Sequence, residues 1–267
     1  MAVKIHPTAI VEDGAELGTD VEVGPFSYVA RTVKVGDRSI LGPHVVVEGH
    51  TTLGPENHLF QFSSIGAAPQ DLKYRNEPTK LIVGARNKIR ECVTLHTGTV
   101  SGHGVTVIGD DNLFMANSHV AHDCKIGNNN VFANSVGLAG HVTVGNRVIF
   151  GGMVGVHQFV RIGDLAMISA GSMVGLDIPP FAIAQGDRCH LRGINIIGLE
   201  RAGLNNEEIA EIKKVFRQLF FTVGHLKDKI PTVPAELAES PYVKMFLDFL
   251  QTSQRGITTP SRSSTSE

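Results

Sequence analysis

Every sixth residue from Ile108 to Val174 is apolar: Ile108, Phe114, Val120, Ile126, Phe132, Leu138, Val144, Phe150, Val156, Ile162, Ile168 and Val174. An α-helix drifts out of phase with a six-residue period, and plain strand alternation does not require one. Four residues after each apolar position the side chain is mostly small or branched, as at Ser118, Cys124, Val136, Val142 and Ala166, with Asn112 and Asn130 as polar exceptions. Glycine follows the apolar position at Gly109, Gly127, Gly145 and Gly163, once per eighteen residues. This is the pattern of hexapeptide repeats, three to a coil, stacked into a parallel β-helix. The same period runs through Ile5, Val11, Leu17, Val23, Val29, Val35, Leu41, Val47, Leu53, Leu59 and Ile65, so the first coil is expected at the N-terminus with no domain before it. Gly18, Gly24, Gly36, Gly42, Gly54 and Gly66 follow six of these positions, where corners between short strands are expected to need a permissive backbone.

The solenoid is expected over 1–180, with two loops extruded where the period breaks, near 67–82 and 96–107. Such loops on a rigid scaffold are either functional or tolerated surface insertions. After Val174 the period ends, and 181–195 reads as an irregular connection. The grammar then turns helical over 196–257. Asn206, with Glu207 and Glu208 after it, suits an N-cap and acidic first turn. Ile209, Ile212, Val215, Phe216, Leu219 and Phe220 recur at helical spacing, as do Tyr242, Met245, Phe246, Phe249 and Leu250. The Ser/Thr-rich end, 258–267, reads as a flexible tail.

Composition excludes several classes. A formal charge of -2 gives no reason to expect a nucleic-acid partner. No apolar run approaches the roughly 20 residues of a membrane span, and residues 1–7 lack the form of a signal peptide. The cysteines, Cys92, Cys124 and Cys189, are odd in number and widely spaced, which fits reduced thiols and a cytoplasmic protein.

A period of eighteen makes residues i and i+18 vertical neighbours, about 4.8 Å apart. His122 then stacks under Gly140 and Gln158, Asp123 under His141 and Phe159, and His119 under Gly137 and Gly155, with His157 beside Gln158 in the chain. His119 and His122 fall in outward slots on either side of the inward Val120. A lone histidine on such a face is ordinarily a solvated side chain. Several on adjacent rungs, beside columns of glycine with accessible N–H groups, form a general base next to an oxyanion donor, as acyl transfer requires. Cys124 sits in an inward slot, a packing position, so direct attack by a substrate hydroxyl is the simpler chemistry.

Gly66-Ala67-Ala68-Pro69-Gln70-Asp71-Leu72-Lys73, the run ANSHVAHDC ending at Cys124, LAGH ending at His141, GVHQF ending at Phe159 and Ala184-Gln185-Gly186 together resemble the UDP-N-acetylglucosamine acyltransferases of lipid A synthesis. The resemblance covers nearly the whole chain. It implies an all-β fold with an α-helical C-terminus, a left-handed parallel β-helix, assembled as a homotrimer with active sites between subunits. The implied reaction carries a 3-hydroxyacyl chain from acyl carrier protein to the 3-hydroxyl of UDP-N-acetylglucosamine, with no cofactor and no metal. By resemblance His122 is the general base, Asp123 its orienting or charge-assisting partner and the Gly140 amide the oxyanion donor. Adjacent strand residues point to opposite faces, so a direct role for Asp123 requires the strand to turn there. Gln70, Asp71 and Lys73 match sugar and nucleotide contacts; His119, His141, His157 and Gln158 match substrate contacts; Asn195 and Arg201 match nucleotide contacts; Ala170 matches the position that sets acyl length. Thr97, Arg188 and Ile197 depart from the best-known members at positions that bear on nucleotide binding. Lys213, Lys214 and Arg217 form either a docking face for the carrier protein or a solvated helix face.

Three rival readings share the scaffold. A γ-class carbonic anhydrase needs three histidines around zinc, for which His119, His122 and His141 are candidates, but it leaves the loops and helices unexplained. A sister enzyme that N-acylates glucosamine carries an extra domain before its repeats. A non-catalytic spacer leaves the polar cluster unexplained.

Overall fold

The computed structural model describes residues 2–261. Short parallel strands, mostly two residues long, form three sheets of 11, 9 and 8 strands. Each strand pairs with the strand one coil away: Val131↔Ile149 in the first sheet, Gly137↔Gly155 in the second and Thr143↔Arg161 in the third, all eighteen apart. The architecture is a left-handed parallel β-helix followed by helices.

Because equivalent residues stack in register, each column must suit its own neighbours. The inward Phe114, Phe132 and Phe150 rings stack at 4.6 and 4.8 Å, close to the rung spacing itself. The polar exceptions in the inward slots are explained the same way. Asn57, Asn87, Asn112 and Asn130 form a buried ladder in which each Oδ1 accepts the amide of the next rung, at 2.9 Å from Asn87, Asn112 and Asn130 and 2.7 Å from Val148. Each buried Oδ1 thus satisfies a backbone amide that would otherwise be bare, and the Nδ2 groups of Asn57, Asn87 and Asn112 find acceptors in turn, whereas that of Asn130 has none among the described residues.

The corners differ from expectation. Left-handed backbone is taken at each edge by ordinary residues: Asp20, Arg38 and Glu56 on one, Phe26, His44 and Phe62 on another, Asp123, His141 and Phe159 on the third, all with φ between 58° and 67° except Arg38 at 56° and His44 at 55°. Their amides bond to the rung below, as His44 N to Pro25 O at 2.9 Å and His141 N to His122 O at 3.0 Å, which offsets the steric cost. The periodic glycines serve another purpose. A Cβ on Gly36 would lie 2.5 Å from the Gly54 carbonyl carbon, and one on Gly127 2.5 Å from Gly145 O, so glycine is there because rungs approach closely. Among the six glycines singled out near the N-terminus, Gly66 alone has positive φ, at 85°.

Two coils are longer than the rest. Ser64 pairs with Thr94, and Thr94 with His119, offsets of 30 and 25 in place of eighteen. The extra residues form loops at 68–79, between strands Ser64–Ala67 and Lys80–Val83, and at 97–104, between Thr94–His96 and Val105–Ile108. The stretch 181–195 is not irregular: Ala182–Gln185 and His190–Ile194 form an antiparallel hairpin on the end of the first sheet. Beyond it lie α1 (Ile196–Arg201), α2 (Asn206–Phe220), α3 (Leu226–Lys229), α4 (Ala235–Ala238) and α5 (Pro241–Gln251). The cap of α2 is Asn205, one residue earlier than expected. Its Oδ1 accepts from Glu207 and Glu208 amides while Glu208 Oε2 accepts from Asn205 N at 2.8 Å, a reciprocal capping box that Asn206 could not make. Residues 252–260 fold back as a strap, with Thr258 N donating to Asp177 O at 2.9 Å and Leu191 N to Thr259 O at 3.1 Å. Of the tail expected over 258–267, residues 262–267 lie outside the described residues. Among the described residues no helix is long and apolar enough to cross a membrane.

Two outcomes follow from this packing. Phe132→Ala removes the middle ring of the stack and should cost about 3–5 kcal/mol, read as a lower denaturant midpoint. Burial pushes the Cys124 thiol up to about 12 and that of Cys189 to about 11. Iodoacetamide at pH 8 should therefore spare Cys124 in the folded protein and modify all three cysteines after unfolding, as counted by mass spectrometry.

Candidate active site

The site lies on the edge where the second sheet turns into the third. Strand His119–Val120 ends there, and the chain turns through His122 and Asp123 before Lys125–Ile126 begins. Asp123 has φ 60°, so this is a corner and not continued strand, and the alternation that would have sent its side chain away from His122 does not apply. Asp123 Oδ2 lies 2.8 Å from His122 Nδ1. The carboxylate is fully buried and also accepts the Thr99 hydroxyl at 2.6 Å, the Thr99 amide at 3.1 Å and the His103 amide at 2.8 Å. Burial alone would raise its pKa; the hydrogen bonds from Thr99, His122 and His103 outweigh that and hold it below the usual carboxylate range. An ionised Asp123 can only accept, so Nδ1 of His122 carries a proton and, in the neutral imidazole, Nε2 is the nitrogen with the lone pair.

Directly above, Gly140 occupies the next rung and Gln158 the one after. A Cβ on Gly140 would lie 2.5 Å from His122 Cε1 and 2.6 Å from Nε2, so the imidazole rests against bare backbone. None of the described residues accepts from the Gly140 amide, although its carbonyl accepts from Phe159 N at 3.2 Å. An unpaired N–H beside a ring nitrogen with a free lone pair suits a developing oxyanion.

The other histidines surround this pair. His141, at the corner above Asp123, stacks on Phe159 at 4.5 Å and meets His122 edge-on at 5.1 Å. Burial lowers its pKa against the opposing pull of Asp123, with His122 and His103 lowering it further. His119 holds Thr94 Oγ1 at 2.7 Å through Nδ1, and burial, then His122, lowers its pKa. His96 is buried beside His119, ring centroids 4.8 Å apart, and burial brings its pKa down to about 4. His157 accepts from Arg255 on the strap at 2.8 Å, while Arg255 Nε donates to Gly175 O at 2.7 Å.

A groove of about 760 Å³ runs up the outer face of the second sheet from His119 over Gly137 and Gly155 to Met173, walled by His157 and by Arg188 from the hairpin. A second, of about 690 Å³, lies across the corner and takes His103, His141, Phe159, Arg161 and Arg255. Asp71 on the 68–79 loop has its charge within reach of His141, whereas Gln70 and Lys73 are exposed on the same loop. Asn195 is spent on structure: it caps α1 through Gly198 N at 3.1 Å and reaches Leu165 O at 2.9 Å. Arg201 is exposed at the end of α1, and Ile197 is exposed nearby. Thr97 is buried against Thr79, their hydroxyls 3.2 Å apart. Ala170 is exposed at a corner and is not among the residues lining the 760 Å³ groove.

Among the described residues, the group of three or more His, Cys or carboxylate side chains whose ligand atoms all lie within 4.8 Å of one another is His122, Asp123 and His141; His119 is outside it. A metal there would have to displace the donors already on Asp123. Sequence reading missed Thr99, His103 and Arg255. Thr99 and His103 lie in an interruption with no register, and Arg255 lies beyond the repeats altogether.

A family model described as UDP N-acetylglucosamine O-acyltransferase, domain 2, matches residues 177–258, and one for six bacterial transferase hexapeptide repeats matches 14–49 and 105–140. The UDP-N-acetylglucosamine acyltransferase of Francisella novicida is 36% identical, covering 97% of this chain and 95% of its own, with a TM-score of 0.93. LpxA of Acinetobacter baumannii is 40% identical, covering 95% and 99%, with a TM-score of 0.92. The Arabidopsis UDP-N-acetylglucosamine acyltransferase is 34% identical, covering 96% and 100%, with a TM-score of 0.85. With relatives this similar along nearly its whole length, and with a base, a buried carboxylate and a free amide on one solenoid corner, the chain belongs to the UDP-N-acetylglucosamine O-acyltransferase family.

Proposed function

We propose that this O-acyltransferase moves a 3-hydroxyacyl chain from acyl carrier protein to the 3-hydroxyl of UDP-N-acetylglucosamine, the first step of lipid A biosynthesis, as a cytoplasmic homotrimer. The observation that carries the reading is His122, held by buried Asp123 at 2.8 Å, beside the unpaired Gly140 amide. Nε2 of His122 takes the proton of the sugar hydroxyl as its oxygen attacks the thioester carbonyl. The Gly140 N–H receives the oxyanion, and Asp123 balances the imidazolium. Collapse of the tetrahedral intermediate expels the carrier thiolate, which recovers the proton from Nε2. Direct attack is favoured because Cys124 lies in the core with its thiol neutral.

The remaining residues divide the substrate between them. Asp71, with Gln70 and Lys73, suits the sugar end; Arg201 suits a diphosphate. Asn195 assists by fixing α1 and with it Arg201. His119 and His157 line the path of the acyl chain, the bare Gly137 and Gly155 let it lie against backbone, and Gln158, at the corner two rungs above His122, suits the polar end of the chain. The Met173 thioether lies back over Gly155, with Sδ 2.8 Å from where a Cβ would stand. That puts the thioether across the groove two rungs above His119, about 10 Å, room for roughly eight methylene groups before it. Ala170, outside this groove, sets length only by facing the groove of a neighbouring subunit.

An acyl-transfer assay with acyl carrier protein thioesters tests the reading. His122→Ala should lose about 10²–10⁴ in turnover. Gly140→Ala, whose methyl displaces the imidazole, should lose a comparable factor with binding of the sugar nucleotide retained. Turnover by His122→Ala at the wild-type rate would exclude this mechanism. Chain-length profiles by mass spectrometry address the groove: Met173→Gly should shift the optimum longer by about four carbons, one rung. Ala170→Gly should lengthen it as well if the neighbouring groove is involved, and a profile unchanged from wild type removes Ala170 from that role.

A further inference from the structure

The 97–104 loop brings three of its groups onto one buried carboxylate. Thr99 donates its amide to both oxygens of Asp123 at 3.1 Å and its hydroxyl to Oδ2 at 2.6 Å, and the His103 amide donates to Oδ1 at 2.8 Å. The Thr99 hydrogen is thereby used, so Ser101, 3.3 Å away, donates to Thr99 Oγ1. The strand leaving the loop adds Thr106, whose hydroxyl accepts from Asp123 N at 2.8 Å. Gly102 packs so closely that a Cβ there would run into the carboxylate. Thr99, Thr106 and Asp123 are all buried.

The repeat itself does not need this loop, since the coils above pass from the second sheet to the third in a tight turn. Among the described residues no lysine or arginine pairs with Asp123. The titratable groups facing it are His122, His141 with Nε2 at 3.9 Å, and His103 across the loop, with Cys124 following in the chain. A buried carboxylate without a cation is tolerable only if neutral dipoles replace its lost hydration. We infer that the 97–104 loop is a clamp that keeps Asp123 ionised and aimed at His122, and that Thr99 is a positioning residue for the acyl transfer, acting through Asp123. This rests on the acyl-transfer reading. If Asp123 took up a proton, it would become a donor, and Nε2 of His122 would no longer be reserved for the substrate.

Thr99→Val removes the hydroxyl and keeps the shape; Thr99→Ser keeps the hydroxyl. Thr99→Val should lower kcat roughly ten- to hundredfold, the rate equivalent of one hydrogen bond to a charged group, with both KM values little changed. The acid limb of its kcat profile should move to higher pH, because Asp123 with one donor fewer is the more basic partner and favours the imidazolium form of His122. Thr99→Ser should restore both rate and profile. Thr99→Ala is read the same way should Thr99→Val not fold. A ¹³C carboxyl titration of Asp123 in wild type and variant reads the clamp without turnover. An unmoved titration, or a serine variant as slow as the valine one, overturns the inference. Wild-type protein without acyl transfer overturns the proposed reaction instead.

Discussion

The structure depends on one constraint, the backbone ladder that joins each rung to the rung eighteen residues on. Every inward or outward choice in the sequence becomes a column, and a column is stable only if its members suit one another at the rung spacing of about 4.8 Å. Aromatic rings stack face to face in one column, and asparagine amides hand their oxygens upward in another. Exposed edges obey the same rule: Phe26, His44 and Phe62 stack at 5.1 Å, and Arg38 pairs with Glu56 one coil away. Such ion pairs are solvated and contribute little each. The weight of stability lies in the ladder and the apolar columns inside it.

The same ladder makes the corner a good place for acid–base chemistry. A left-handed residue costs steric energy in an L-chain, so Asp123 at φ 60° needs its neighbours to hold it. Here the corner amides bond to the rung below, and His141 and Phe159 repeat the conformation above. The carboxylate and the imidazole of consecutive residues therefore meet on one side, although in a regular strand they would diverge. The base, its partner and the amide above it are positioned by the repeat before any substrate arrives.

Most of this was legible in the sequence because the repeat is periodic. Inward positions, coil length and the vertical neighbours His122, Gly140 and Gln158 all follow from counting by eighteen. The role of the glycines was misread, since sequence cannot distinguish a residue small for its φ from one small for the rung above it. The 181–195 hairpin was missed because Ala182–Gln185 and His190–Ile194 have neither the repeat's period nor a clean alternation. The partners of Asp123 were invisible for a different reason. Thr99 and His103 lie inside an interruption, where the register that locates the stacked columns does not run.

The interruptions are not scattered. Loop 68–79 leaves the end of Ser64–Ala67 and loop 97–104 leaves the end of Thr94–His96, both strands of the second sheet, and both return at the start of a third-sheet strand. They break successive coils at the edge that Asp123, His141 and Phe159 occupy on the coils above. The other two edges keep their short turns at these levels, with Cys92 and Arg86 as corner residues. An insertion without a task would be tolerated equally at any edge, since the entropic cost of lengthening a loop grows slowly wherever it lies. Two insertions on one edge, one with Asp71 in reach of His141 and the next closed over Asp123, indicate that the repeat gives way where polar groups are needed that its own columns cannot supply. A column can present a histidine, a carboxylate or a bare glycine at a chosen height. It cannot surround a buried charge with donors, because its neighbours above and below belong to other rungs. The loop supplies those donors, which is why the solenoid leaves its register beside the residue that has to stay charged.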